Sequence, residues 1–358
     1  MLSPRRSATE GERESARWVV ARLTEAGAAD VRLQSYRYQS TWAWRAVPHF
    51  LAGLTGRRAL ALAALVSFDA DQSGRAQWLK RLVPAGEGAG AVARVPSAGP
   101  RRRTLVLVAH HDAAQTGLMW RHPWLAGGPL SRDVVAPFAA GPELGFALVA
   151  LGFRRLGSAL LALALYGALD VARSETVPGA SDNATGVAAV LALVQRFARE
   201  PLPGTELLVV VPGGEEAGMG GMAAWMRSAE ARALDPATTL VLGLDTLGAG
   251  EPVVLAAEGP PRRQRYRDED LAWADRGAKL AGLPRPRRFT IGGWTDPVLA
   301  LMAGLPAISL LSVCGSGFTN YHAPTDTPDR VDWESVESCL RLATGIARAW
   351  SESDPPAG

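Results

Sequence analysis

Five short stretches of the sequence place histidines and carboxylates directly after apolar runs or inside glycine-rich turns. Only five histidines occur in 358 residues, and three of them lie in these stretches. Taken singly, each stretch has an ordinary structural explanation, since a histidine can end a strand and an aspartate can cap a helix. Together they offer the mixture of imidazole and carboxylate ligands that zinc accepts. The stretches are LVAHHD at 107–112, PGASDNATG at 178–186, VVVPGGEEAGMGG at 209–221, LGLD at 242–245 and NYHAPTDTPD at 320–329.

The adjacent glutamates Glu215 and Glu216 predict two different chemical roles. A metal ligand must point an oxygen at the ion, whereas a general base must remain a free carboxylate within reach of the proton that it removes. The glycine-rich turn around them lets neighbouring side chains point in different directions. Two histidines with an odd number of carboxylates suit two metal ions that share one bridging carboxylate and polarise a carbonyl together.

The segments between these stretches predict buried strands that alternate with helices. Thr9 and Glu12 predict a capping-box start for the first helix, and 31–35 alternates as a half-exposed strand should. Strands that are buried on both faces and alternate with helices indicate an α/β fold, with a mixed, largely parallel central sheet flanked by helices. Ligands bind such sheets at the carboxyl ends of the strands, where the five stretches lie. The expected strands are 91–95, 104–109, 206–211, 239–244 and 307–311, and the expected later helices are 185–199, 219–231, 268–281 and 333–351.

Two apolar segments, 45–67 and 134–172, interrupt this pattern. We expect a single domain over 1–358 with apolar helical insertions at about 45–88 and 113–177. Both segments contain a double arginine after a similarly spaced leucine pair, at 51–58 and again at 148–155. The uninterrupted pieces are shorter than the ~20 residues of a spanning helix, and arginines inside a bilayer are costly. The alternatives are a helical cap packed on the domain, a surface for self-association, or a hairpin lying in a membrane interface with snorkelling arginines.

Charge and cysteine content exclude several classes of protein. The net charge is +3, only Lys80 and Lys279 are lysines, and no basic stripe with interleaved aromatic residues indicates nucleic-acid binding. Cys314 and Cys339 provide neither a disulfide framework nor a CxxC metal pair. The N-terminal residues contain no apolar signal-peptide region, which predicts a protein that stays in the cytoplasm or on the cytoplasmic face of the membrane.

The five stretches resemble the motifs of the M28 family of cocatalytic zinc aminopeptidases, and the similarity covers most of the chain outside the two insertions. The resemblance implies two Zn²⁺ ions bridged by Asp182. One ion takes His110 and Asp245 as further ligands, and the other takes Glu216 and His322.

The resemblance also assigns roles to residues that do not bind the metals. It implies that Glu215 is the general base, that Asp112 orients His110, and that Tyr321 steadies the tetrahedral oxyanion. It further implies a cis peptide bond after Asp182. His111 replaces a frequent aromatic residue of the family and is expected to be structural or to line the pocket.

The resulting hypothesis is a zinc metallo-aminopeptidase that removes N-terminal residues from peptides. A glutaminyl-cyclase-like aminoacyltransferase is the neighbouring alternative, because that chemistry uses the same fold with a zinc site. A non-catalytic M28-like binding module is the alternative from another class. Peptides are the expected partners, together with a membrane surface or a second copy of the chain at the apolar insertions.

Overall fold

The computed structural model describes residues 4–121, 134–135, 141–259 and 262–353. His122 and part of the insertion expected at 113–177 lie outside the described residues. The helices are α1 (Glu10–Glu25), α2 (Ala43–Leu54), α3 (Arg58–Gln72), α4 (Leu118–Arg121), α5 (Gly141–Leu151), α6 (Arg154–Arg173), α7 (Thr185–Arg199), α8 (Gly220–Met226), α9 (Ala229–Arg232), α10 (Asp268–Leu280), α11 (Pro297–Met302) and α12 (Trp333–Glu352). Short 3₁₀ turns lie at Trp78–Arg81 and Pro328–Arg330.

The described strands form a nine-stranded mixed sheet and a separate two-stranded ribbon. The four central strands β5, β3, β6 and β10 are mutually parallel. Strands β2 and β7 join this centre antiparallel, at β5 and β10, and β1 is antiparallel to β2. The order is β1-β2-β5-β3-β6-β10-β7-β8, with β9 paired to β7. The strands are β1 (Ala29–Tyr38), β2 (Gly86–Val95), β3 (Ala98–Val108), β4 (Val134–Val135), β5 (Pro203–Val211), β6 (Thr239–Leu244), β7 (Glu251–Glu258), β8 (Gln264–Arg265), β9 (Arg287–Ile291), β10 (Ala307–Val313) and β11 (Phe318–Thr319).

Helices cover both faces of the sheet and enclose the main core. On one face α1, α7, α10 and α12 pack together and on the strands, and on the other face α8 packs beside α11. The central strands are rich in valine and leucine, and most of their residues are buried on both sides of the sheet. The expected α/β class, with a parallel centre flanked by helices, is therefore confirmed.

Two local predictions differ from the structure. The helix expected at 219–231 is two helices, because Ser228 leaves the helical conformation and its hydroxyl caps a new helix at the N–H of Ala231. The capping box does not form, since Glu12 accepts the N–H of Ala8 instead of that of Thr9. The buried Glu12 carboxylate also accepts the Tyr36 hydroxyl and the N–H of Ala89 and thus links α1 to β1 and β2.

The two apolar insertions pack against each other and form one four-helix unit, here called the helical cap (α2, α3, α5 and α6). Helices α2 and α6 are in contact, α3 packs on α5, and each insertion contributes one helical hairpin. The centre of the cap is a separate apolar core that contains Phe50, Phe68, Phe146 and Leu161. Within the described residues, α6 is the one helix long and apolar enough to cross a membrane by length and composition. The expectation that each run is too short is wrong for α6, because the double arginine begins this helix of 20 residues instead of cutting it.

Candidate metal centre

The parallel strands bring the first ligands together because their carboxyl ends meet at one edge of the sheet. His110 follows the end of β3, the glutamate turn follows β5, and Asp245 follows β6 directly. Neighbouring registers pair Val108 with Val210 and with Gly243, so these strand ends are level. Parallel pairing of these strands therefore suffices to bring the side chains that follow them together, although they are distant in sequence.

Asp182 lies between the two histidines and presents one carboxylate oxygen to each. Its Oδ1 is 3.2 Å from His110 Nε2, and its Oδ2 is 3.2 Å from His322 Nε2. Asp245 Oδ1 lies 3.7 Å from the same nitrogen of His110, and Glu216 Oε2 lies 3.1 Å from that of His322. Two groups of potential metal ligands, His110–Asp182–Asp245 and Asp182–Glu216–His322, thus share one carboxylate.

The donor set fits divalent metal ions. Glu216 Oε1 is buried without a hydrogen-bond partner among the described residues, and His322 Nε2 faces carboxylate oxygens of Asp182 and Glu216 at 3.2 and 3.1 Å without hydrogen-bond geometry to either. A metal ion is the partner that would satisfy such converging donors at once, and one histidine with two carboxylates is a set that zinc accepts. A third group of neighbouring ligand atoms, His110–Glu215–Glu216, places Glu215 against the same cluster.

Asp112 connects the first stretch to the glutamate turn. Its Oδ1 lies 3.4 Å from His110 Nδ1 and accepts the N–H of Glu215 at 3.2 Å. Its Oδ2 accepts the N–H of Glu216 at 3.2 Å and the hydroxyl of Ser7 at 2.7 Å. One fully buried carboxylate therefore fixes the orientation of an imidazole and the backbone that carries both glutamates.

The backbone around Asp182 is held by two residues to which the sequence assigned no role. The Asp182–Asn183 peptide bond is cis, as the family resemblance implied. Asp326 accepts the N–H of Ser181 at 2.7 Å and that of Asp182 at 3.1 Å. Asn183 donates to the Leu244 carbonyl and accepts the N–H of Thr246, which ties this turn to the end of β6. Asp326 lies only four residues after His322, and this proximity is the one signal that pointed to it.

Burial and charge crowding control protonation in the cluster. Burial raises the pKa of Glu215 well above its usual range, and the nearby carboxylates of Glu216 and Asp296 raise it further. Burial alone would lower the pKa of His110, but the surrounding carboxylates raise it well above its ordinary value. Since two divalent cations would supply the missing positive charge, metal binding would return these groups to a charged carboxylate and a neutral imidazole.

Asp296 is a further buried carboxylate in this cluster that the sequence had not selected as a site residue. Neither of its oxygens has a hydrogen-bond partner among the described residues, and burial raises its pKa well above its usual range. Its charge is one of the causes that raise the pKa of Glu215. A buried carboxylate without a protein partner is available to a substrate cation or a proton.

Tyr321 and Trp120 form an aromatic wall beside the second histidine. The Tyr321 ring stacks on His322 with centroids 3.9 Å apart, and the Trp120 ring meets His322 edge-on at 4.7 Å. Trp120 belongs to α4, which lies in the second insertion. The ribbon of β4 and β11 joins 134–135 of the same insertion to the segment just before Asn320. The insertion is therefore part of the site.

His111, in contrast, has a structural position. Its Nε2 lies 2.9 Å from the Ala89 carbonyl and its Nδ1 lies 3.1 Å from the Ser15 hydroxyl. Burial lowers the pKa of this imidazole to about 4, which keeps it neutral at physiological pH. Arg5 also secures the stretch, since its guanidinium donates to the carbonyls of His111, Pro178 and Gly179.

A cleft leads to Glu216 and His322, and it is lined by the second insertion and by the segment just before α2. Trp42 precedes α2, Gln115 lies ahead of α4, and Val171 belongs to the last turn of α6. The cap thus borders the candidate metal centre through the end of α6 that carries Val171.

Comparisons with known proteins point to one family. Residues 155–347 match the model of peptidase family M28. A glutaminyl cyclase of Bacteroides thetaiotaomicron bound to N-acetylhistamine aligns with 97% of this chain and 92% of its own, at 14% identity and a TM-score of 0.59. A leucine aminopeptidase precursor of the same organism aligns over 97% and 92%, at 13% identity and a TM-score of 0.59. A Zn-dependent exopeptidase of Parabacteroides distasonis aligns over 98% and 94%, at 12% identity and a TM-score of 0.57. No curated protein sequence matches the chain.

Proposed function

Because the chain belongs to peptidase family M28, we propose that it is a zinc aminopeptidase with two metal ions that removes N-terminal residues from peptides. The observation that carries the proposal is the position of Asp182, whose two oxygens face two complementary ligand groups. His110 and Asp245 would complete one zinc site, and Glu216 and His322 would complete the other. Zinc at these sites would polarise the scissile carbonyl and acidify the attacking water.

The protein groups around the sites supply proton transfer and orientation. Glu215 takes the proton from the attacking water and delivers it to the leaving amine, which requires a carboxylate that is not consumed as a ligand. Asp112 accepts the backbone N–H groups of Glu215 and Glu216 and so fixes the turn that carries them. In this turn Glu215 would remain free for proton transfer while Glu216 binds a metal ion. Tyr321 acts as the hydrogen-bond donor to the developing oxyanion.

Substitution of the two glutamates tests this division of roles. Glu215→Gln should retain zinc and lose about 10²- to 10⁴-fold in kcat on aminoacyl-nitroanilides, as expected for the loss of a general base. Glu216→Gln should instead lower the zinc content of the purified protein. The measurements are hydrolysis rates with zinc restored and metal analysis of each variant. The proposal would be refuted if the parent protein hydrolysed no substrate, or if Glu215→Gln left the hydrolysis rate unchanged.

A second candidate function is glutaminyl cyclisation. It is favoured by Asp296, a buried carboxylate that has no hydrogen-bond partner among the described residues and whose charge acts on Glu215, and by the structural similarity to a glutaminyl cyclase. A peptide with N-terminal glutamine separates the two activities, because cyclisation leaves the peptide bond intact with loss of ammonia, whereas hydrolysis releases free glutamine. A non-catalytic binding module is the remaining alternative, and a zinc content near zero in the purified protein would favour it.

A further inference from the structure

The helical cap has a distinct outer end where the turns of its two hairpins meet. Arg154 begins α6, and its Nε donates to the Gly56 carbonyl in the turn between α2 and α3 at 2.7 Å. Reciprocally, the Arg58 guanidinium lies against Gly152 in the turn between α5 and α6, where a Cβ atom would come within 2.5 Å of it. The two turns, 55–58 and 152–155, are here called the cap tip.

Charge is segregated along the cap. The tip exposes four arginines, at positions 57, 58, 154 and 155. No acidic residue occurs at 48–68 or 144–169. The acidic residues of the hairpins lie at the opposite end, where Asp71 pairs with Arg45 and Asp170 accepts the N–H of Leu118. The tip is therefore a cationic end without carboxylates of its own hairpins to neutralise it.

Large apolar side chains surround these arginines and remain in contact with solvent. Leu151 is 70% exposed, Phe153 is 62% exposed and Leu156 is 58% exposed, and Leu51 is also exposed. Further exposed side chains continue along the outer sides of α3 (Leu62 and Val66) and α6 (Leu163 and Tyr166). Clustered apolar surface beside arginines is typical of segments that insert shallowly into a membrane interface.

The packing of the cap determines which end would enter a membrane. Helices α2 and α6 are neighbours, α5 contacts both α3 and α6, and α2 contacts α3, so α3 and α6 occupy opposite corners of the bundle. Their exposed apolar stripes consequently face in different directions, and a bilayer against one side would reach only one stripe. If the cap tip enters the membrane first, the bilayer contacts the ends of both apolar stripes and all four arginines.

We propose that the cap tip docks on a bilayer that contains anionic lipids, with Leu151, Phe153 and Leu156 in the interface and the four arginines at the headgroups. A second copy of the chain fits this end poorly, since a tip-to-tip dimer would bring two sets of four arginines together. The cleft lies at the other end of α6, where Val171 lines it. At 1.5 Å per residue, the helix between Arg154 and Val171 holds the cleft about 25 Å from the tip, where water-soluble peptides reach it.

The test is sedimentation of the full-length protein with vesicles of phosphatidylcholine alone and of phosphatidylcholine with phosphatidylglycerol. The parent protein should bind the anionic vesicles, and binding should weaken as salt is raised. Arg57→Gln/Arg155→Gln should weaken binding roughly 30-fold, because each arginine near an anionic surface contributes about fivefold. Leu151→Ser/Phe153→Ser should weaken it at least as much through loss of the apolar contact.

Matched controls distinguish the tip from general charge and apolarity. Arg196→Gln/Arg199→Gln removes the same charge from the exposed end of α7, and Leu280→Ser removes an exposed leucine at the end of α10. Both controls should bind as the parent protein does. The proposal is overturned if the parent protein ignores anionic vesicles, if the tip variants bind as well as the controls, or if the tip variants dissociate a lipid-free dimer.

Discussion

At the scale of single residues, the direction of the Asp182 carboxylate depends on a neighbour that is not itself a ligand. Asp326 accepts two consecutive peptide N–H groups, those of Ser181 and Asp182, with its two oxygens. Burial raises the pKa of Asp326 to about 6, while the two N–H donors act against that shift. The carboxylate is therefore ionised at neutral pH and holds the turn in the orientation that lets Asp182 face both histidines.

Asp326→Asn should weaken zinc binding by about 10- to 100-fold, the usual effect of losing a group that orients a metal ligand. The amide presents an NH₂ group to one of the two backbone N–H groups, so that one donor becomes unpaired while the side-chain volume is unchanged. Zinc titration of the metal-free protein measures the change. Asp329→Asn is the matched control, because Asp329 is exposed in the same loop. Equal affinities in the two variants would contradict the assigned role.

At the scale of elements, a buried ion pair connects the helical cap to the glutamate turn. Arg45 in α2 and Asp71 in α3 are fully buried, with Arg45 Nε 2.9 Å from Asp71 Oδ1. The same guanidinium donates to the Ala217 carbonyl at 2.7 Å, one residue after Glu216. Next to it, the Tyr38 hydroxyl and the Gln77 amide both donate to the Gly218 carbonyl. The first hairpin thus holds the backbone that follows the candidate base and ligand.

Arg45→Met should lower the free energy of unfolding by about 3–5 kcal/mol, because it leaves the Asp71 carboxylate buried without its partner. Arg45→Met/Asp71→Leu should recover most of that loss, since replacing both members of a buried pair by apolar residues is often close to neutral. Chemical denaturation of the single and double variants measures the coupling. Losses that simply add in the double variant would show that the pair is not coupled.

The double variant also separates stability from positioning. It still lacks the hydrogen bond to the Ala217 carbonyl, so its peptidase activity should remain below that of the parent protein even where its stability is regained. Peptidase assays at a temperature where both proteins are folded test this, and full recovery of activity would place the role of Arg45 in stability alone.

The elements differ in how far the sequence could predict them. Helix α7 was expected at 185–199 and occurs there, because Val187, Val190 and Val194 give it a regular buried face. Strands β7 and β9 were not predicted from the sequence. Each begins with charged or half-exposed residues, Glu251 in β7 and Arg287 and Arg288 in β9, so that the apolar part of each strand is too short to be recognised. Packing of the two hairpins on each other could not be predicted, because helices that are apolar on most sides do not indicate which side meets a partner.

The same distinction holds within the candidate site. Ligand types at strand ends can be anticipated because the sheet brings those ends to one edge. Asp326 could not be assigned a role, since a lone aspartate in a loop has no periodic pattern and its contacts arise only after distant turns have packed together. Asp296 lies in 292–306, which resembles the family segment before the last core strand, but the sequence does not indicate that its carboxylate is buried without a partner among the described residues.

At the scale of the whole molecule, the candidate site concentrates buried negative charge that either metal ions or protons can compensate. Burial raises the pKa of Glu216 to about 7. Burial would lower the pKa of His322, but the charge of Glu216 and the contact with Asp182 raise it to about 10. His322 holds a proton in the metal-free folded state that it releases on unfolding between pH 6.5 and about 10, whereas Glu216 does so between pH 4.5 and about 7. The stability that they contribute is therefore present at low pH and is lost as pH rises through these values.

The metal-free protein should consequently lose stability between pH 7 and pH 9, by about 1.4 kcal/mol per pH unit for each proton that only the folded state retains. Zinc requires ligands without those protons, so that it binds more tightly as pH rises. Free zinc at 100 times its Kd should add about 2.7 kcal/mol per site, and the zinc-loaded protein should show a smaller pH slope. Denaturation at pH 7, 8 and 9 with and without zinc measures both slopes. A metal-free protein that becomes more stable over this range would contradict proton compensation, because only groups whose pKa is raised by folding produce the expected sign.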